Sequence, residues 1–518
     1  MIMDRVVVYI SIVLGVGIVA WVWWVLNWVW VRPKKLEKLL RKQGFNGNPY
    51  RVWHGDMTQQ ASMVVEAVSK PINISDDIVP RVIPFVSQHI NNYGKKSFIW
   101  NGPAASVQIM DPEMIKEVFN KNYVFQKPTA NPLFKLFVNG LTSIEGEKWA
   151  KHRRLLNPAF HMEKLKDMLS AVDLCCSEII RKWQLMMLEG NSCELDVCPF
   201  LQVLTSDVIS RTAFGSSYEE ASRVFELQIE QLQLAIKTLQ SVYIPGWRYL
   251  PTRRNQRLKE IDREIRLLLK GMIDKKLEAV KTMGKGSNHD FLGILLESNL
   301  NEIQHGNESV GMSIQDVIDE CKLFYFAGQE TSSVLLVWTF VLLSIHPNWQ
   351  AQARKEVLHV IGNRKPDFAD LSRLKTITMI LYEVLRLYPP ITSISRLIHE
   401  ETKLGDLTLP PGVLITLPIL RIHHDREIWG DDANIFNPAR FSEGISKATK
   451  NQTVFMPFGG GPRICIGQNF ALLEAKFALA LMLPQFSFEL SPSYTHAPAD
   501  NLGTLRPQYG ANLILHKL

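Results

Sequence analysis

Phe458-Gly459-Gly460-Gly461-Pro462-Arg463-Ile464-Cys465-Ile466-Gly467 is the stretch on which the reading of this chain turns. Its single cysteine lies in a segment too rich in glycine and proline to be helix or strand. A thiolate is a strong, soft metal ligand that suits iron. Glycines let a backbone approach a flat cofactor and aim N–H groups at the sulfur. Arg463 can meet a carboxylate in bidentate fashion. The helix-like run after Gly467 would point its positive N-terminal end at the thiolate. The bland alternative is a glycine-rich turn around an ordinary buried cysteine. By average residue frequencies the five spaced positions Phe458, Gly461, Arg463, Cys465 and Gly467 recur by chance in about one chain of this length in ten thousand.

Working outward, 518 residues exceed the usual single-core size. No internal repeat or long linker divides them, so one large domain behind a short anchor is expected. A hydrophobic fraction of 46% can bury a substantial core, and the net charge of +7 is scattered. That distribution offers no concentrated basic stripe for nucleic acid. The six cysteines, Cys175, Cys176, Cys193, Cys198, Cys321 and Cys465, form neither a secreted disulfide framework nor a zinc spacing. A reducing compartment is therefore expected for the body, and the sequons at Asn73, Asn307 and Asn451 would stay unglycosylated.

Residues 6–31 carry no charge and are dominated by Val, Ile, Leu and Trp. At about 1.5 Å per residue this run spans a bilayer with tilt to spare. Trp21, Trp23, Trp24, Trp28 and Trp30 crowd its second half, as in an interfacial aromatic belt, and Arg32, Lys34, Lys35, Lys38, Arg41 and Lys42 follow. The positive-inside rule then puts the N-terminus in the lumen and the body in the cytosol. The expected division is 1–31 lumen and anchor, 32–50 basic linker, 51–518 catalytic domain. In the body, short β-like runs at 97–100 and 106–109 give way to amphipathic stretches over 163–189, 218–241, 254–283, 313–345 and 347–362. Residues 404–413 read as a hairpin, and the last thirty residues as strand and loop. The apolar run 332–345 is too short to cross a membrane and is expected to be a buried core helix.

Three further constellations stand upstream of the cysteine. Ala327-Gly328-Gln329-Glu330-Thr331 interrupts the longest helical pattern. A mid-helix glycine costs about 1 kcal/mol relative to alanine, which predicts a close approach to the backbone there. Thr331 can bond the preceding turn and open the helix. A packing glycine beside capping residues is the plain alternative. Glu383 and Arg386 share a helix face, and Pro438-Ala439-Arg440-Phe441 offers them a third charge. Trp149 and Arg153, one helical turn apart, suit either an exposed basic helix or a cofactor clamp.

In this order and spacing, from residue 149 to 467, the motifs resemble those of the cytochrome P-450 superfamily. The resemblance implies a mainly α fold with small β-sheets behind one N-terminal transmembrane helix, and haem b ligated by Cys465. It further implies Trp149, Arg153, Arg396 and Arg463 on the haem propionates, with Phe458 and Gly467 shaping the loop. Thr331 and Glu330, with Gly328 and Ala327, would handle protons during dioxygen activation. Glu383, Arg386 and Arg440 would form a structural network behind the cysteine. The stretches 43–51 and 149–160 resemble plant family seventy-two, subfamily A, a group that includes secologanin synthase, triterpenoid oxidases and gibberellin-modifying enzymes. The implied activity is an NADPH- and O2-dependent monooxygenase of the endoplasmic reticulum membrane acting on a small hydrophobic terpenoid. With no GxGxxG after a strand and no P-loop, electrons would come from a flavoprotein NADPH-cytochrome reductase; Lys148, Lys151 and Arg154 suit part of its docking face or, as the plainer reading, ordinary solvated helix charges. The rather polar Ile391-Thr392-Ser393-Ile394 would line the substrate pocket. A reductase-independent haem-thiolate isomerase or dehydratase, and a non-catalytic membrane haem-binding protein, are the alternatives.

Overall fold

The computed structural model describes residues 2–518 except 129–130, 188–189, 240–246, 284–289, 306–310, 363, 450–451 and 502. Asn307 and Asn451 lie outside the described residues, as do the ends of the helical stretches expected to reach 189 and 241. The expected helices form as Met162–Met186, Tyr218–Leu239, Arg253–Met283, Ile314–Ile345 and Pro347–Val360. Five strands make the main sheet, in the order Phe98–Asn101, Ala104–Gln108, Leu414–Leu417, Ile394–Ile398, Phe125–Gln126. Only the Ala104–Gln108 and Leu414–Leu417 pair runs parallel. Strands Ser192–Asp196 and Phe486–Leu490 flank Asn512–Lys517, and a hairpin joins Thr402–Leu404 to Leu407–Leu409. The large helical core holds Trp183 and Trp338, both without exposed surface, and a second core lies against the main sheet around Phe98 and Trp100.

Helix Ile314–Ile345 is the axle of the helical core. Ser313 and Asp316 form a capping box at its start, and His346-Pro347 ends it. Apolar on every side after residue 331, it is buried on every side, as such a composition requires. The 332–345 run is therefore core. The N-terminal helix behaves oppositely: Ile2–Leu26 leaves its apolar side chains exposed over residues 9–24, and it is long enough and apolar enough to be a single membrane anchor. It passes through a π-helical turn, Asn27–Val31, straight into Arg32–Lys42.

One expectation is corrected here. The 327–331 segment does not interrupt the central helix, which is continuous across it. The Thr331 hydroxyl donates to the Ala327 carbonyl at 2.7 Å without opening the helix. The group that closes on Gly328 is Ile209 of helix Val197–Phe214: a Cβ at 328 would stand 2.6 Å from Ile209 Cδ1. Thr205 of the same helix donates to the Gln329 carbonyl at 2.9 Å. Glycine at 328 thus serves helix packing. Gly328→Ala is expected to lower stability by about 1–2 kcal/mol despite alanine's better helix propensity. Thermal unfolding checks this, and Ile209→Val in the same background should recover part of the loss.

Candidate metal centre and active site

Cys465 stands just ahead of helix Gln468–Met482. Its N–H donates to the Phe458 carbonyl at 2.9 Å, closing the loop, and Gly459 N–H donates to Met456 O at 3.0 Å inside it. The three glycines have a nearer cause than a flat cofactor. Side chains at Gly460 or Gly461 would strike Phe119 of helix Pro112–Asn120, and Gly459 and Gly461 have φ of +73° and +62°. Gly467 has room around it, its absent Cβ 3.8 Å from Phe160 and 4.0 Å from the Cys465 sulfur.

The Cys465 sulfur is accessible from one side and closed in by protein on the others. Burial is the main force on its thiol and pushes its pKa up. The N–H of Gly467, the charges of Arg153 and Lys127, and the N–H of Gln468 oppose that force. Such a thiol ionises fully when a metal takes it, because a bound cation displaces the proton outright.

Beside the sulfur lies a crowd of cations. Helix Gly146–Leu156 carries Trp149 and Arg153 and is pinned to the central helix by His152, whose Nδ1 lies 2.6 Å from Glu320 Oε1. Glu320 has lost its exposed surface, and burial raises its carboxyl pKa. Arg463 stacks on Trp149 at 4.1 Å, donates to Ile144 O at 3.0 Å and pairs with Glu145. Arg153 donates to Ile464 O at 2.9 Å, and Arg396 to Ser395 O at 3.0 Å. Trp149, Arg153 and Arg463 are thus brought together directly, with Arg396 close enough to feel Arg463.

Two members of this group escaped the sequence. Lys127, whose N–H donates to Glu145 Oε1 at 2.9 Å, follows the short strand Phe125–Gln126. Burial, then Arg396 and Arg463, push its ammonium down to about 7. Burial and Arg463 push Arg396 down to about 10. Cations that depress one another call for anions. Among the described residues, the anions that act on Lys127, Arg153, Arg396 and Arg463 are the Glu145 carboxylate and the Cys465 sulfur; once the sulfur is a thiolate they leave one positive charge over, and a second wherever Lys127 keeps its proton. Two propionates on a planar, thiolate-ligated iron cofactor supply that charge, so the residues present fit haem. No spacing rule singles out Lys127 or Glu145; only their packing places them here.

On the central helix, Thr331 is half-buried and Glu330 is 4% exposed. Glu330 is not free: Arg506 and Thr504, on strand Thr504–Pro507, both hold its carboxylate. Proton transfer by Glu330 would require that ion pair to open. Thr392 is also committed, its hydroxyl donating to Asp500 Oδ2 at 2.8 Å, while Ser393 is exposed. Burial raises the Asp500 carboxyl pKa. The three surface cations read as a docking face all have partners: Lys148 meets Asp316 at 2.6 Å, Lys151 donates to Gly311 O at 2.9 Å, and Arg154 meets Glu302 at 3.0 Å.

Behind the loop, Glu383 and Arg386 are wholly buried on helix Lys375–Leu387 and form a bidentate pair at 2.7 and 2.8 Å. Arg386 also donates to the carbonyls of His423 and Ala433, at 2.8 and 2.6 Å. Arg440 joins more loosely. It lies 3.8 Å from Glu383, beyond hydrogen-bond reach, and its closer partner is Asp432 at 2.7 Å. The Asn437 N–H donates to Glu383 at 3.0 Å. Burial drives His423 down to about 3, so it stays neutral. With Nδ1–H donating to Arg386 O, its Nε2 accepts the Met456 N–H at 3.2 Å. Hydrogen bonds therefore run from Glu383 through Arg386 and His423 to Met456, and so into the cysteine loop. One buried acid was not anticipated: burial raises the Glu474 carboxyl pKa to about 8, and the nearby Ser332 hydroxyl only partly opposes that rise.

A family model described as Cytochrome P450 matches residues 83–515. Among curated relatives, Cytochrome P450 72A397 of Kalopanax septemlobus is 65% identical over 499 residues, 96% of each chain. Cytochrome P450 72A15 of Arabidopsis thaliana is 56% identical over 512 residues, 99% of each. The 7-deoxyloganic acid hydroxylase of Catharanthus roseus is 54% identical over 503 residues, 96% of each.

Two outcomes are expected of this geometry. Arg386→Met strands the buried Glu383 charge and should cost about 3–5 kcal/mol, seen as a collapse of the folded yield or of the unfolding midpoint. Glu474 holds its proton in the folded chain from its ordinary 4.5 up to about 8. The folded state binds the extra proton in that window, so stability falls as pH rises through it. Glu474→Gln should remove this fall, read as unfolding midpoints of both proteins across the same pH range.

Proposed function

This chain belongs to the cytochrome P450 family, and from that premise we propose that it is a membrane-anchored, NADPH-dependent haem-thiolate monooxygenase oxidising a hydrophobic plant terpenoid. The observation that carries the reading is the Cys465 sulfur, accessible from one side, in a loop whose Arg463 stacks on Trp149 and whose Ile464 carbonyl holds Arg153, with Lys127 and Arg396 close by. Cys465 would hold the iron of haem b, and Lys127, Arg153, Arg396 and Arg463, with Trp149, would take its two propionates. When bound, the haem supplies dioxygen activation and C–H oxidation. The chain's own residues bind it, exclude water around the sulfur and hold protons. The Thr331 hydroxyl, which donates to the Ala327 carbonyl, would hold a transferable proton on the central helix. Glu330 serves as the next proton holder once Arg506 and Thr504 release it.

The terpenoid class rests on the subfamily relatives, of which one is named for hydroxylating 7-deoxyloganic acid. Arg32, Lys34, Lys35 and Lys38 beyond the aromatic belt support a cytosolic body on the endoplasmic reticulum membrane. Electrons from NADPH would arrive through a flavoprotein reductase. With Lys148, Lys151 and Arg154 already engaged, its docking must either compete with their present partners or use other cations. The test is a reduced, carbon-monoxide difference spectrum of the purified chain. The thiolate-type long-wavelength Soret band is expected and should be absent in Cys465→Ala. Turnover of a terpenoid panel that requires both NADPH and reductase separates a monooxygenase from an isomerase.

A further inference from the structure

A cleft of about 280 Å³ lies between the anchor and the catalytic body. One wall is helical: Trp28, Arg32 and Leu36 follow one another at single-turn spacing. The other wall comes from the main sheet: Pro103 and Ala104 at the first hairpin, Leu397 to His399 at the end of strand Ile394–Ile398, and Pro411-Gly412.

The two walls are fixed to each other. The π-helical turn Asn27–Val31 shifts the backbone hydrogen bonds by one residue, and the buried Tyr50 hydroxyl donates to the Val29 carbonyl at 2.7 Å. The Trp53 N–H in turn donates to the same phenol oxygen at 3.2 Å. Trp53 has φ of 72°, the only positive φ outside glycine among the described residues, and its ring meets Trp28 edge-on at 5.9 Å. Strain of this kind persists only where surrounding contacts over-determine it. Further along, Gln43 exchanges two hydrogen bonds with the Thr408 backbone, one of them at 2.7 Å. The anchor is therefore a strut, and the cleft beside it has set walls.

Depth and chemistry then define the occupant. Trp21 to Trp30 set the level of the membrane interface, and Arg32 lies just beyond that belt. The cleft pairs apolar surface from the half-buried Trp28 and Leu397 with one exposed guanidinium and no carboxylate. Arg32 makes one long hydrogen bond here, 3.3 Å to the Pro411 carbonyl. Gly412, at φ +82°, lets it lie there, since any Cβ at that position would collide with the guanidinium. The nearest acid of the basic helix, Glu37, is occupied by Lys34, Arg41 and the Tyr50 N–H. We propose that this cleft binds an anionic phospholipid from the adjacent leaflet, its phosphate on Arg32 and its upper acyl chains against Trp28 and Leu397.

The proposal rests on the anchor reading, so the experiment first tests that alone. The full chain should float with neutral phosphatidylcholine vesicles; failure to float overturns the anchor and the cleft with it. Given flotation, native mass spectrometry of the full chain extracted from mixed phosphatidylcholine and phosphatidylserine vesicles reads which lipid is retained. One preferentially retained phosphatidylserine is expected. Arg32→Gln should cut that retention about fivefold, and Gly412→Ala, which displaces the guanidinium without removing charge, should cut it similarly. Lys38→Gln, outside the cleft, should change it less than twofold. No preference for the anionic lipid, or an equal loss in Lys38→Gln, overturns the cleft and leaves only a general polybasic attraction. Displacement of the lipid by inorganic phosphate at millimolar concentration overturns the lipid as occupant in favour of a simple anion site.

Discussion

The Glu383–Arg386 pair is the constraint that the cysteine loop depends on. Two opposite charges without exposed surface are costly to desolvate, and they endure because the Arg386 guanidinium and the Glu383 carboxylate are themselves hydrogen-bonded throughout. Such a pair adds little net stability over an apolar replacement. What it adds is geometry. The bidentate contact fixes the guanidinium plane, which fixes the backbone at 423, 433 and 437, and through neutral His423 the backbone at Met456. The Cys465 sulfur takes its position from that network, because glycine-rich loops have no stiffness of their own.

Electrostatics around the sulfur follow a second logic. Burial first, and then repulsion from the neighbouring cations, hold Lys127 and Arg396 well below their ordinary values. The fold bears that repulsion because one carboxylate, Glu145, touches both Lys127 and Arg463. The remainder is preorganised attraction for carboxylates. The same trade is visible at Glu330, where a buried acid is held by Arg506 and Thr504 rather than left open to solvent.

Much of the helical architecture was legible because hydrophobic periodicity survives in long segments: the helices at 162–186, 253–283 and 314–345 begin and end within a residue or a few of their expected bounds. The strands at 98–101 and 104–108 were legible from β-like runs around a glycine-proline turn. The local meaning of Gly328 was not. A mid-helix glycine announces a close neighbour, but only packing reveals that the neighbour is Ile209. Likewise the glycines of the cysteine loop yield to Phe119, a residue more than three hundred positions away.

The sequence by itself determined which residue types are on offer: one cysteine in a glycine-rich turn, a tryptophan and an arginine one helical turn apart, an acid and a threonine on a core helix, and an apolar run ending in cations. Those facts are local, and composition and spacing carry them. The tertiary structure decided which charges meet. Lys127 and Glu145 join the cation cluster, Asp432 takes Arg440 closer than Glu383 does, Arg506 claims Glu330, and Tyr50 ties down Val29. The reason is that ion pairing and desolvation depend on distance through space, and chain separation says almost nothing about that distance once the core has closed.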